Sequence, residues 1–164
     1  MPGVEQDFVG FYRDHFRRLV VYLLYQGAPA HLAAELAQDA MITAYQRWHT
    51  ITAPRSYVWT VAYRAFIRHA LHEDEESVAE VPEPTVVLPH PQDAEAWLQQ
   101  QEIMEVLRVL PPRQRQVLAF TLDGWSPAEM ANLLGIDSPA VRSSLRKARR
   151  NADEHLRRIR EEDP

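Results

Sequence analysis

The stretch that decides the fold runs from Gly124 to Arg142 and reads Gly-Trp-Ser-Pro-Ala-Glu-Met-Ala-Asn-Leu-Leu-Gly-Ile-Asp-Ser-Pro-Ala-Val-Arg. Ser126 and Glu129 have the spacing of a capping box, in which each side chain accepts a backbone N–H at the start of a helix. The proline between them takes the favoured first helical position, and Gly135 suits a left-handed helix end. Ser138-Pro139 then repeats the start signal. Two helices around a short glycine turn predict a helix-turn-helix.

Apolar residues recur at helical spacing on both sides of this turn. Leu110-Pro111-Pro112 predicts the start of a preceding helix, which ends at Gly124. That helix holds Val117, Leu118, Thr121 and Leu122, and the next one carries Met130, Ala131 and Leu134. In the last helix, Val141, Leu145 and Ala148 are expected to face the core.

The N-terminal seventy residues carry the periodicity of three further helices, and no segment alternates like a strand. The first helix has an apolar stripe from Phe8 to Leu23 and is broken at Gly27-Ala28-Pro29. The second is predicted from about Ala30 to Trp48, and the third from Arg55 to about Leu71, after a proline suited to a first turn. The inward positions are Leu32, Leu36, Ala40, Ile42 or Thr43, and Tyr45 or Trp48 in the second helix, and Val58, Val61, Ala62, Ala65 and His69 in the third.

The net charge of −5 is divided unevenly along the chain. Residues 1–72 and 106–164 are mildly basic, whereas residues 73–105 contain ten acids and no lysine or arginine. Four prolines in the acidic segment disfavour a helix or a central strand over residues 73–92. The sequence therefore predicts an all-α fold with two small helical domains, 1–72 and 96–164, joined by an acidic proline-rich linker at 73–95.

Several function classes are excluded or disfavoured by composition. The chain has no cysteine, no run of eighteen apolar residues and no signal-peptide pattern at its start, which favours a cytoplasmic protein without a membrane span. It has no glycine-rich phosphate loop and no serine-centred elbow, so no catalytic residue and no cofactor are predicted. His69, His72 and Glu73 have a spacing that permits metal ligation, but an ordinary core or surface histidine is the simpler interpretation.

The last helix has the charge pattern of a DNA-recognition helix. It carries eight basic residues between Arg142 and Arg160 against two acids. Such side chains neutralise phosphates and release counterions, while residues near the helix start face the base edges. Ala140, Ser143, Ser144 and Lys147 are the predicted base contacts, because they lie off the core stripe. A solvated charged face is the alternative.

The C-terminal residues resemble region 4 of the sigma-70 family over Leu110–Leu118, Gly124–Ala131, Gly135-Ile136, Ala140–Ser143 and Leu145–Arg149. In that family this domain reads the −35 promoter element in the major groove. The resemblance implies that the −35 contacts are Ser126, Ala140, Arg142, Ser143, Ser144, Arg146, Lys147, Arg149 and Arg150. Ser144 stands where many relatives have a basic residue.

LuxR-type regulators carry a similar helix-turn-helix, so the N-terminal half discriminates between the two classes. The N-terminal half resembles sigma region 2 over Phe8–His15, Gly27, Ala34–Ala40 through Tyr45 and Trp48, and Pro54–Ala62. In the family the Ala-Glu-Leu-x-Gln-Asp stretch docks on the clamp helices of the polymerase's largest subunit. The resemblance therefore assigns core polymerase docking to Glu35, Gln38, Asp39 and Ile42.

The third helix and the loop before it are the part that faces the −10 element in the family. Aromatic and cationic side chains suit an unstacked base and its phosphate. The residues implied are His49, Thr50, Thr52, Arg55, Ser56, Trp59, Tyr63 and Arg64. Relatives usually have an asparagine near Arg64, an acid near Arg68 and a basic run afterwards, whereas this chain turns acidic at Glu73.

The resemblance as a whole implies an alternative sigma factor of the extracytoplasmic-function type. Its expected partners are core RNA polymerase, through the clamp helices and the flap of the second-largest subunit, promoter DNA, and an anti-sigma factor such as many relatives have. The acidic linker would then thread towards the RNA exit path. The alternatives are a helix-turn-helix regulator outside the sigma family, and a polymerase-binding adaptor that does not melt promoters.

Overall fold

The computed structural model describes residues 2–73 and 94–163. The predicted linker falls mostly on residues 74–93, which lie outside the described residues. The helices are α1 (Pro2–Tyr25), α2 (Ala30–Gln46), a short 3-10 helix (Trp48–Thr50), α3 (Pro54–Glu73), α4 (Ala94–Val109), α5 (Pro112–Leu122), α6 (Pro127–Leu134) and α7 (Ser138–Glu162).

The prediction of an all-α fold is confirmed, since the described residues contain helices and turns and no strand. The helices form two compact units. The first holds α2, α3 and most of α1, and the second holds α4 to α7. The boundaries proposed for the linker remain predictions.

In the first unit, α2 packs against α3 through small side chains. Ala33, Ala37, Ala40 and Ala44 are buried on α2, and their size lets the two helix backbones approach closely. Large residues from α1 and α3 complete this core, and they are Leu19, Tyr22, Leu23, Val58 and Trp59. Of the alternatives that the periodicity left open, Thr43 and Trp48 are half-buried, whereas Ile42 and Tyr45 are exposed.

The end of α2 differs from the prediction. The helix stops at Gln46, because Arg47 leaves helical geometry with φ −119° and ψ 15°. Trp48 therefore begins a 3-10 helix instead of ending α2. Its turn is closed by Thr50, whose backbone N–H and hydroxyl both donate to the Arg47 carbonyl at 2.9 and 2.8 Å.

The second unit contains a helix, α4, that the prediction of its elements left out. The residues buried at its C-terminal end are Val106, Leu107 and, just after it, Leu110. Their spacing of three and four residues could have indicated this helix from the sequence. Arg115 on α5 secures that end, because its Nε donates to the Leu107 carbonyl at 3.0 Å and its Nη2 to the Leu110 carbonyl at 3.4 Å. The Leu107 carbonyl also accepts the Leu110 N–H at 3.2 Å, so Arg115 adds a second donor at the end of α4, where carbonyls lack the usual helical partner.

The helix-turn-helix is formed by α6 and α7. The capping box of α6 is confirmed: the Ser126 N–H donates to Glu129 Oε2 at 2.7 Å, and the Glu129 N–H donates to Ser126 Oγ at 3.2 Å. Gly135 ends α6 in the left-handed region with φ +67°. The start of α7 needs a correction, since Asp137 is its cap and Ser138 its first residue. The Asp137 carboxylate accepts the Ala140 N–H at 2.7 Å.

Candidate nucleic-acid and partner interfaces

The recognition helix α7 separates its core stripe from its basic surface. Val141, Leu145 and Ala148 are buried, as the periodicity predicted. Eight of the nine predicted −35 residues are exposed and Ser144 is half-buried. The exposed members are Ser126, Ala140, Arg142, Ser143, Arg146, Lys147, Arg149 and Arg150. The fold thus presents these side chains on the surface of a single helix-turn-helix.

Three of the arginines line an open groove beside α6. Arg142, Arg146 and Arg149 form its basic wall, and its apolar lining comes from Trp125, Pro127 and Leu145 with the side chain of Thr121. Guanidinium groups beside apolar surface are suited to phosphate oxygens, which they bind by charge-assisted hydrogen bonds.

Trp125 forms part of this groove and is held in place by two contacts. Its indole Nε1 donates to Asp123 Oδ2 at 2.8 Å. Its ring meets Phe120 edge-on, with centroids 5.6 Å apart. The chain reaches this position by turning at Gly124, which has φ +89°. The loop before α6 is therefore well anchored, and this in turn fixes the α6 N-terminus.

Ser126 has a structural task that the sequence also predicted. Its hydroxyl oxygen accepts the Glu129 N–H within the capping box. A hydroxyl that accepts one hydrogen bond can still donate its own hydrogen. Capping and a contact to a phosphate are therefore compatible at this residue.

The predicted docking residues share one exposed face of α2. Glu35, Gln38, Asp39 and Ile42 are all exposed, and Ile42 keeps 46% of its surface accessible. Residues three and four apart are neighbours on a helix surface, so this spacing makes one continuous patch. Acids beside an exposed apolar residue form a patch suited to a basic partner helix.

An aromatic cluster connects this face with the loop that follows it. Phe8 of α1 lies 4.9 Å from Tyr45 and 5.2 Å from Trp48, measured between ring centroids. Phe11 lies 5.1 Å from Trp48. These contacts between α1 and the end of α2 fix the point at which the 3-10 helix begins.

The predicted −10 residues fall into two groups. His49, Thr50, Thr52, Ser56 and Arg64 are exposed. The second group is at least half-buried: Arg55 and Tyr63 are half-buried, and Trp59 is fully buried.

The assignment of Trp59 to the DNA-contacting set is corrected by this burial. Its ring lies in the core of the first unit, 6.1 Å from His15 and 6.4 Å from Tyr22 by ring centroids. The Arg55 guanidinium carbon lies 5.8 Å from the Trp59 ring centroid, within range of a cation–π contact. Among the described side chains of α3, the buried ones are Val58, Trp59 and Ala62, whereas Val61, Ala65 and His69 of the predicted inward stripe are half-buried. The buried face of α3 is therefore turned towards Trp59 relative to the prediction.

Both halves of the chain match models of one protein family. The model described as Sigma-70 region 2 matches residues 11–75, and that described as Sigma-70, region 4 matches residues 100–151. Together the two matches span most of the chain. The chain belongs to the sigma-70 family. Sigma-70 proteins are transcription initiation factors and not enzymes.

Solved structures share the fold of this sigma-70 chain. The sigma factor RpoE in complex with the anti-sigma factor NepR, from Bartonella quintana, has a TM-score of 0.70 at 19% identity, covering 93% of this chain and 98% of that one. CnrH in complex with the cytosolic domain of CnrY has a TM-score of 0.68 at 18% identity, covering 93% and 88%. Among curated protein sequences, none matches the chain significantly. Within residues 2–73 and 94–163, no helix is long and apolar enough to cross a membrane.

Two features of this sigma-70 surface escaped the sequence prediction. The Tyr12 hydroxyl donates to Gln38 Oε1 at 3.0 Å, a contact across 26 residues that no periodicity reveals. Asn151 Nδ2 donates to Gln114 Oε1 at 2.7 Å and so connects α7 to α5. Both are side-chain contacts between helices that are separate in sequence, and only the packing of the helices brings them together.

Proposed function

We propose that this chain is an alternative sigma factor of the extracytoplasmic-function type, which binds core RNA polymerase and directs initiation at promoters with suited −35 and −10 elements. The observation that carries the proposal is the exposed α2 face of Glu35, Gln38, Asp39 and Ile42, in the same chain as an exposed arginine-rich recognition helix. A DNA-binding regulator has no need of the first surface.

Each surface has a role in this proposal. The α2 face docks on the clamp helices of the largest polymerase subunit, and the second unit meets the flap of the second-largest subunit. Arg142, Arg146 and Arg149 bind phosphates beside the −35 major groove, while Ala140 and Ser143 approach base edges. His49, Thr50 and Thr52 hold the opened −10 strand. The protein acts in the cytoplasm, where polymerase is.

An anti-sigma factor is the expected regulatory partner. Two solved structures with this fold are complexes, one of RpoE with the anti-sigma factor NepR and one of CnrH with the cytosolic domain of CnrY. A partner of this type would cover exposed docking surface and so prevent polymerase binding. A pull-down from the source cell with the whole chain, compared with a chain carrying Glu35→Lys and Asp39→Lys, tests whether the partner uses the α2 face.

A polymerase-binding adaptor that melts no promoter is the second candidate, and the burial of Trp59 favours it. Stacking on an unpaired base requires an accessible ring. On α3, Tyr57, Tyr63 and Phe66 are half-buried and Trp59 is fully buried. The loop residues would then have to capture the base without an exposed tryptophan.

Run-off transcription with purified core polymerase tests the proposal, with the chain's own upstream region as template. The informative variant carries Glu35→Lys and Asp39→Lys. Its matched control carries Asp7→Lys and Asp14→Lys, the same change in charge on exposed residues of α1. We expect specific transcripts from the wild type and the control and none from the docking variant.

The other outcomes separate the alternatives. Binding to core polymerase without a transcript on a panel of promoters would favour the adaptor. No binding to core polymerase by the wild type would overturn the sigma factor proposal and leave a DNA-binding regulator. Equal binding by wild type and docking variant would place the docking surface elsewhere.

A further inference from the structure

The side-chain amide of Gln38 is oriented by a residue from another helix. Tyr12 of α1 donates its hydroxyl hydrogen to Gln38 Oε1, with the two oxygen atoms 3.0 Å apart. Gln38 is exposed and lies between Glu35 and Asp39 on the docking face of α2. An exposed glutamine normally samples many orientations, so a fixed hydrogen bond restricts what it presents to a partner.

The direction of this hydrogen bond decides the chemistry of the exposed group. A glutamine amide has one oxygen that accepts and one NH₂ group that donates two hydrogens. Because the oxygen receives the Tyr12 hydroxyl, the NH₂ group lies on the side of the amide turned away from Tyr12. The group presented to a partner is therefore a donor, whereas the neighbouring Glu35 and Asp39 carboxylates are acceptors.

The Tyr12 ring is itself held in place. It stacks on Phe16 with centroids 4.9 Å apart and planes at 11°, and it lies 6.2 Å from Phe8. Both neighbours are on α1, one turn away on either side. The hydroxyl is thus presented from a ring with little freedom, and its removal leaves this packing intact.

We propose that Tyr12 is a positioning residue for the docking face, and that the docked partner offers a hydrogen-bond acceptor to Gln38 between basic groups that meet Glu35 and Asp39. This inference rests on the proposed docking of α2 on core polymerase. To that proposal it adds Tyr12 and the order of acceptor, donor and acceptor groups along the docking face. A partner surface that is basic throughout would leave the Gln38 NH₂ group without an acceptor, which costs binding energy.

The test measures the affinity of the full chain for core polymerase without DNA. Tyr12→Phe keeps the ring and removes only the hydroxyl, and we expect it to weaken binding by about 2- to 10-fold, the usual effect of one hydrogen bond. Tyr25→Phe removes a hydroxyl from the other end of α1 and serves as the control. An unchanged melting temperature of Tyr12→Phe checks that the fold is retained.

Two further variants distinguish positioning from a general structural effect. Gln38→Glu replaces the donor by a carboxylate, so we expect it to weaken binding more than Gln38→Ala does. Tyr12→Phe in a Gln38→Ala background should cause no further loss, because the group that Tyr12 orients is gone. Tighter binding by Gln38→Glu, or additive losses in the double variant, would overturn the inference.

The result also separates this inference from the proposed function. If Glu35→Lys with Asp39→Lys abolishes polymerase binding while Tyr12→Phe leaves it unchanged, the docking surface stands and the role of Tyr12 is wrong. If neither changes the affinity, the docking surface itself is wrong and the inference falls with it.

Discussion

Trp48 lies edge-on against Phe8, with ring centroids 5.2 Å apart and planes at 83°. Trp48 is the first residue of the 3-10 helix, and Phe8 also packs on Tyr45 near the end of α2. One aromatic cluster therefore holds both the end of the docking helix and the beginning of the loop proposed to hold the −10 strand. We therefore expect the aromatic cluster to position His49 and Thr50, which follow Trp48 directly.

Replacing Trp48 should affect the loop more than the docking face. Trp48→Ala removes the contacts with Phe8 and Phe11, and loss of a half-buried aromatic contact costs about 1–2 kcal/mol of stability in the first unit. We expect core polymerase binding within about 3-fold of wild type and a much larger loss of run-off transcript. Trp48→Phe keeps an aromatic ring and should retain most of the transcript. A parallel loss of both activities in Trp48→Ala would contradict this role.

The arginine groove on α7 should contribute to DNA binding mainly through charge. Arg146→Ala removes one phosphate contact, so the affinity for duplex DNA should fall and the slope of log K against log salt should decrease by about 1. Arg157→Ala removes the same charge from an exposed position nearer the end of α7 and is the control. Fluorescence anisotropy over a salt series measures both quantities. Equal slopes for the two variants would show that the groove is not the phosphate site.

The capping box should stabilise the second unit. Ser126→Ala removes the acceptor of the Glu129 N–H, and such a cap is worth about 1 kcal/mol. Glu129→Ala removes the reciprocal contact to the Ser126 N–H. Because the two contacts belong to one motif, we expect the double variant to lose less than the sum of the single losses. Urea unfolding of the three variants tests this, and strict additivity would argue against a cooperative cap.

Gly135, which ends α6, should resist substitution for backbone reasons alone. A Cβ at this position would meet no atom within 4 Å, but φ is +67°, a region that costs a residue with a Cβ about 1–2 kcal/mol. Gly135→Ala should therefore lower the free energy of unfolding by about that amount, and Gly135→Asn by less, since asparagine tolerates this conformation better. Thermal unfolding of both variants checks the prediction, since Gly135→Ala should have a lower melting temperature than Gly135→Asn.

The signals that could be read from the sequence are those with a local physical cause. Ser126, Glu129 and Gly135 act on backbone groups within a few residues, so their spacing alone marked both ends of α6. The stripe of Val141, Leu145 and Ala148 follows from the helical period. The placement of Glu35 and Asp39 on one face follows from that same geometry.

Elsewhere a local signal was present but ambiguous. Ser138-Pro139 indicated a helix start, but Asp137 is the residue whose carboxylate reaches the third helical N–H. Trp48 fitted the period of α2, but the backbone left the helix one residue earlier, at Arg47. The first difference arises because two neighbouring polar residues, Asp137 and Ser138, can both offer a capping oxygen. The second involves contacts of Trp48 with Phe8 and Phe11, which the helical period does not contain.

What the sequence by itself determined is the all-α fold, the helix-turn-helix and the family resemblance, because each depends on short-range spacing. Only the tertiary structure decided that Trp59 belongs to the core and that Tyr12 orients Gln38. Both depend on which face of α1 packs against α2 and α3, and burial of apolar surface is a property of the assembled core. The packing of three helices against one another cannot be predicted from the hydrophobic period of any single helix.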